Sequence, residues 1–148
     1  MTATELISFF ERDLKRLITE IELYKEEQQI WKVEKQIANS AGNLVLHLIG
    51  NLQTFIGKEI GNTDYVRNRE LEFSQKNIPR TALIEQLENT IKTIQHTLSP
   101  LTEEDLKKDY PVLKFTEVSS TEYLLVHLSG HLTYHLGQIN YHRRLISV

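Results

Sequence analysis

The sequence predicts an all-α protein, a four-helix bundle with a long connection between its second and third helices. Three observations predict it. Apolar residues recur at helical period through four separate stretches. Two of those stretches open on the Ser/Thr-x-x-Glu pattern of a helix start, and proline or polar segments divide them. At 148 residues the chain is long enough to bury one sizeable core, and it reads as a single domain over 1–148.

The first helix should run from 4 to about 26, with Leu6, Phe10, Leu14, Leu17 and Ile21 on one face and charges opposite. Thr2-Ala3-Thr4-Glu5 supplies its capping box. Trp31 falls in the connection that follows and is expected to anchor packing. The second helix should span about 40–57. After it comes the polar stretch 58-KEIGNTDYVRNRELEFSQKNIP-79. The third begins after Pro79, carries Leu83, Ile84, Leu87, Ile91 and Ile94, and ends near Ser99-Pro100. Thr102 opens a helical turn over 101–107, and 110-YPVLKFTEV-118 has β-like texture without a partner strand. Ser119-Ser120-Thr121-Glu122 is a second capping box, starting a fourth helix that continues to about 146.

Composition excludes several functions. Lys and Arg total 17 against 20 Asp and Glu, a formal charge of −3, and no basic stripe interleaves with aromatics, so no nucleic-acid partner is expected. The chain has no cysteine, which removes disulfides, thiolate metal sites and a thiol nucleophile; any metal must be held by His, Asp, Glu or backbone. The N-terminal residues do not read as a signal peptide. The uncharged segment 36–57 contains Asn39, Ser40, Asn43, His47, Asn51 and Gln53, groups that a bilayer centre penalises. The expectation is a cytoplasmic protein with no membrane partner.

The second predicted helix is unusual. Leu44, Val45, Leu46, Leu48, Ile49, Leu52, Phe55 and Ile56 cover more than half its circumference, and the remaining strip holds Asn43, His47, Gly50, Asn51 and Thr54. A strip facing water would be rich in Lys and Glu. This one has no charge, so it suits a polar surface inside the protein, whether for a ligand or simply for hydrogen bonds to neighbouring helices.

The fourth helix supplies a complement. His127, His131 and His135 follow at four-residue steps, and His142 lies further on. His131 and His135 fall beside the core direction defined by Leu124, Leu128, Leu132, Ile139 and Ile146. Two histidines four apart are separated by about 6 Å of rise and can aim at one ion; eight residues, about 12 Å, is too far. A metal pair is therefore His127/His131 or His131/His135, and His47 is the natural third ligand. The same pattern would also serve a metal-free interaction bundle. His96, near the end of the third helix, and His142, at the end of the bundle, need no catalytic role. Tyr134 and Tyr141 flank the histidine side.

The run 130-GHLTYHLGQI-139 resembles the fourth-helix signature of the DinB-like metal-binding superfamily, approximately Asn/Gly-His-x-x-x-His-x-Gly-Gln-Ile. The run 39-NSAGNLVLHLIGNLQTFIG-57 resembles that superfamily's second helix, which supplies a single His. The match covers the whole chain in helix order, and is nearest to a branch of bacterial proteins whose domain is named only as of unknown function. The resemblance implies a DinB/YfiT-like bundle with a three-histidine divalent metal site. Its ligands fall on His47, His131 and His135, because Gly137-Gln138 completes the motif after the second pair. His127 then becomes a pocket wall or a group behind the ligands, with Asn51, Gln138 and Tyr134 as further pocket candidates.

Characterised members of that superfamily use the site for low-molecular-weight thiol transfer, as in bacillithiol S-transferases and a mycothiol-dependent isomerase; others are described as hydrolases. The resemblance thus implies a metal-dependent small-molecule thiol S-transferase, with a metal-dependent hydrolase or a non-catalytic ligand-binding or sensing bundle as alternatives. Neither the second helix nor residues 123–148 carry Asp or Glu, so a hydrolase would have to recruit its carboxylate base from a loop. Within the 58–79 connection, Arg67 and Arg69 are candidates to contact a substrate carboxylate, or else surface residues neutralising Glu70 and Glu72. Three imidazoles suit zinc or nickel, and also iron or manganese. Related bundles often pair as homodimers, and no exposed apolar face here assigns an interface.

Overall fold

The structure is a computed structural model and describes residues 1–147. Among the described residues six α-helices follow in order: α1 Ala3–Leu23, α2 Ala41–Leu52, α3 Arg69–Ser74, α4 Arg80–Leu98, α5 Glu103–Lys107 and α6 Thr121–Ile146. The four long ones make the bundle: α1 packs against α4 and α6, and α2 packs against the same two. Among the described residues there is no β-strand; the 110–118 segment is irregular and is flanked by an isolated bridge between Asp109 and Ser120.

Helix ends follow local chemistry. Thr2 accepts a hydrogen bond from the Glu5 backbone while Glu5 reaches back to the Thr2 backbone, closing the expected capping box. Helix α1 stops at Leu23, short of the expected 26, because Tyr24 turns extended and buries its ring; a 3-10 helix, Glu27–Trp31, then carries the chain across. Trp31 lies flat against Gly42, where a Cβ would stand 2.6 Å from the indole. The cap of α6 is Ser120, one residue later than expected, and Glu122 pairs with the N-terminal ammonium instead of completing a box. Thr102 and Asp105 form a capping box on α5 that the spacing had not indicated.

The apolar faces meet as the periodicity requires. Leu6, Phe10, Leu14, Leu17 and Ile21 are buried with Leu83, Leu87, Ile91 and Ile94 from α4 and Leu124, Leu128, Leu132 and Ile139 from α6, while Ile84 is half-buried. Every residue of α2 is buried, including Asn43, His47, Gly50 and Asn51 of the neutral strip, while Thr54 falls beyond it and is half-buried. Beyond Leu52 the helix widens into a π-helix, Gln53–Lys58, and the Phe55 carbonyl accepts a hydrogen bond from the Tyr110 hydroxyl at 2.6 Å.

What covers the neutral strip is the 58–79 connection. Rather than an open polar loop, it folds into α3, capped by Asn68, and lies against α2. Asn43 reaches across to hold it: its Nδ2 donates to the carbonyls of Glu72 and Gln75, both at 2.9 Å, and its Oδ1 accepts from Ser40 and Lys76. An uncharged strip is thus explained by polar backbone and a carboxylate arriving from α3.

Candidate metal centre

His47 projects from the middle of α2, and His131 and His135 from successive turns of α6. Their ring nitrogens converge, with one ligand atom from each lying within 4.8 Å of the others. His131 Nε2 stands 3.4 Å from His47 Nε2 and 3.1 Å from His135 Nε2. Ligand nitrogens about 2.0–2.1 Å from a tetrahedral ion sit about 3.3 Å apart, so both separations suit a shared ion.

The far sides of two rings decide which nitrogen is free. His47 Nδ1 faces Glu72 Oε1 at 3.1 Å; a carboxylate only accepts, so that nitrogen carries the proton and Nε2 presents a lone pair. His135 Nδ1 faces Gln138 Oε1 at 2.7 Å, which assigns it the same tautomer. Two lone pairs therefore point at His131 Nε2, whose single hydrogen could satisfy only one. His131 Nδ1 is buried without a partner. This donor set fits a divalent cation held through three Nε2 atoms, and the three histidines could hold a metal ion.

The surroundings of His47 and His131 favour the neutral imidazole, the form able to ligate. Burial, with His135 and His47 close by, pushes His131 down to about 4. Burial also lowers His47 and outweighs the opposing pull of Glu72. Phe73 from α3 closes over His47, with ring centroids 5.1 Å apart.

Glu72 went unrecognised as part of the site from sequence. It is 6% exposed, and Arg67 grips it at both oxygens, Nε to Oε2 at 2.8 Å and Nη2 to Oε1 at 2.9 Å. The two arginines of the connection part company: Arg67 is committed to this pair, whereas Arg69 is exposed. The signals available were the charge-free strip itself, Gly50 upon it, and Asn68 as a helix cap. Gly50 is where the strip opens for Glu72, since a Cβ there would lie 1.9 Å from Oε2.

The remaining candidates scatter. His127 is exposed, its ring 4.9 Å from that of Phe115, and stands outside the cluster. Tyr134 is exposed, its hydroxyl 3.4 Å from Gln138 Nε2. Asn51 is buried one turn beyond His47 and its Oδ1 has no partner. His142 is buried rather than merely terminal: its Nε2 donates to the Lys32 carbonyl at 2.8 Å and its Nδ1 accepts from Tyr24 at 2.5 Å.

The bundle has a DinB-like fold. The crystal structure of a DinB-like protein from Bacillus subtilis, YjoA, matches with a TM-score of 0.71 over 97% of this chain and 92% of that one, at 18% identity. That likeness is one of fold. The family described as "protein of unknown function (DUF1572)" matches residues 3–147, and the chain belongs to it. No match was found among curated proteins. No helix of the described residues is long and apolar enough to cross a membrane.

Proposed function

We propose that this protein binds a divalent cation through His47, His131 and His135 and uses it to activate a small-molecule thiol for S-transfer. The observation that carries the reading is the convergence of three Nε2 atoms, two of them turned inward by hydrogen bonds behind their rings. Three neutral protein ligands leave coordination positions for a substrate. A bound dication would supply the Lewis acidity that lowers the pKa of a thiol placed beside it. The chain's own part is to keep His47 and His131 neutral by burial and to aim the three imidazoles at one point.

The choice of thiol over water rests on Glu72. This carboxylate touches the triad, yet both its oxygens are occupied by Arg67 and one also by His47. It lies behind the His47 ring, on the side opposite Nε2, and is poorly placed to take a proton from water. Thiolate formation needs no such base. Zinc and nickel are the expected ions, with iron and manganese also compatible with imidazole ligands.

The test is metal analysis by mass spectrometry on untagged protein purified without chelator, beside a His131→Ala/His135→Ala variant. The loaded protein is then assayed for conjugation against a panel of low-molecular-weight thiols and electrophiles. Near-stoichiometric metal that the variant loses, together with thiol-dependent turnover, is the expected result. Metal without any thiol binding or turnover would remove the transferase assignment. No metal after reconstitution with zinc and nickel would remove the site.

A further inference from the structure

Glu72 and Arg67 are more than a buried ion pair. We infer that Glu72, clamped by Arg67 and admitted by Gly50, is the positioning residue of the site: it fixes His47 as the Nδ1–H tautomer and aims Nε2 at the point shared with His131 and His135. The inference rests on the metal-site reading above and deepens it.

Four observations converge. Glu72 Oε1 is the acceptor facing His47 Nδ1 at 3.1 Å. Arg67 restrains the carboxylate through two bonds, one to each oxygen, of 2.8 and 2.9 Å, a bidentate pairing that fixes direction as well as charge. Its space exists only because residue 50 has no side chain; any Cβ would overlap Oε2. Its backbone is pinned from α2 itself, since Asn43, one turn before His47, donates to the Glu72 carbonyl. The same helix therefore sets both the ring and the group behind it.

Arg67 Nη2 also approaches His47 Nδ1, at 3.4 Å. Were that contact the real hydrogen bond, Nδ1 would accept, the ring proton would sit on Nε2, and the cluster would be blocked. The shorter carboxylate contact, and the commitment of Nη2 to Glu72 at 2.9 Å, favour the opposite assignment. A carboxylate behind a ligating imidazole raises its basicity and fixes its orientation, and losing such a group typically weakens metal binding about 10–100-fold.

The test reads two quantities, one independent of metal. In ¹⁵N-labelled metal-free protein, long-range proton–nitrogen spectra distinguish the Nδ1–H from the Nε2–H form of His47. Zinc affinity is then measured by chelator competition for wild type, Glu72→Gln and Gly50→Ala. The second variant keeps Glu72 but displaces it, and remains informative if the first misfolds. The expected result is Nδ1–H in the wild type and an affinity about 10–100-fold weaker in both variants, at unchanged helical content. An Nε2–H wild type, or variants within twofold of wild-type affinity, would overturn the inference while leaving the metal site intact. A wild type that is Nδ1–H yet takes no zinc would sink the metal reading and still support the Glu72 orientation of the ring.

Discussion

At the scale of single residues, the six histidines divide by what stands behind each ring. His47 and His135 have a hydrogen-bond acceptor at Nδ1 and a bare Nε2 turned toward a common point. His142 has both nitrogens spent, on Tyr24 and on the Lys32 carbonyl, so it joins the C-terminal end of α6 to the chain leaving α1. That distinction separates the clustered histidines from a structural one better than burial does, since His142 is 4% and His47 8% exposed. Replacing Tyr24 with Phe leaves the buried His142 Nδ1 without its donor. The expected cost is about 1–3 kcal/mol in urea unfolding, with metal content unchanged. A loss of metal in that variant would mean that His142 and the triad are coupled rather than independent.

At the scale of elements, α3 decides the character of the site. A six-residue helix cannot sustain itself in water and depends on what it docks against. Asn43 is the chief polar contact, donating from a buried position to the Glu72 carbonyl of α3 and to that of Gln75, its C-cap. Asn43→Ala is therefore expected to loosen the connection: limited proteolysis should cut faster within 59–78 while the four long helices persist. Unchanged protection there would mean that apolar contacts such as Phe73 on His47 suffice to hold α3. The amphipathic helices α1, α4 and α6 were readable from period alone, because each sets a continuous apolar stripe against polar positions. Helix α3 was not. Its pattern, Arg69 to Ser74, is short and half charged, and charged residues in a connection ordinarily face water.

At the scale of the whole molecule, stability should depend on pH through its buried histidines. His131, His47 and His142 are all held below the ordinary imidazole value, chiefly by burial. Between the two values the unfolded chain binds protons that the native one refuses, so stability falls as pH drops through about 6.5 toward 4. Metal-free protein should show a lower urea midpoint at pH 5 than at pH 7.5. A flat profile over that range would mean that the native histidines take up protons as readily as the unfolded chain. The depressed values also keep His47 and His131 deprotonated at neutral pH, so metal need not compete with protons at those two rings.

Four long helices, their apolar faces and the facing of His131 and His135 toward the core border were determined by the sequence itself, because each is a local consequence of helical period and capping chemistry. So was the oddity of α2, an uncharged polar strip with no place in water. Only the tertiary structure decided what meets that strip. Glu72 lies 25 residues from His47 along the chain, and its contact with the ring depends on Asn43 holding α3 and Gly50 leaving room. Such a contact has no period and no local signature. It arises where two elements pack, which is also where a buried charge must find its partner or remain outside.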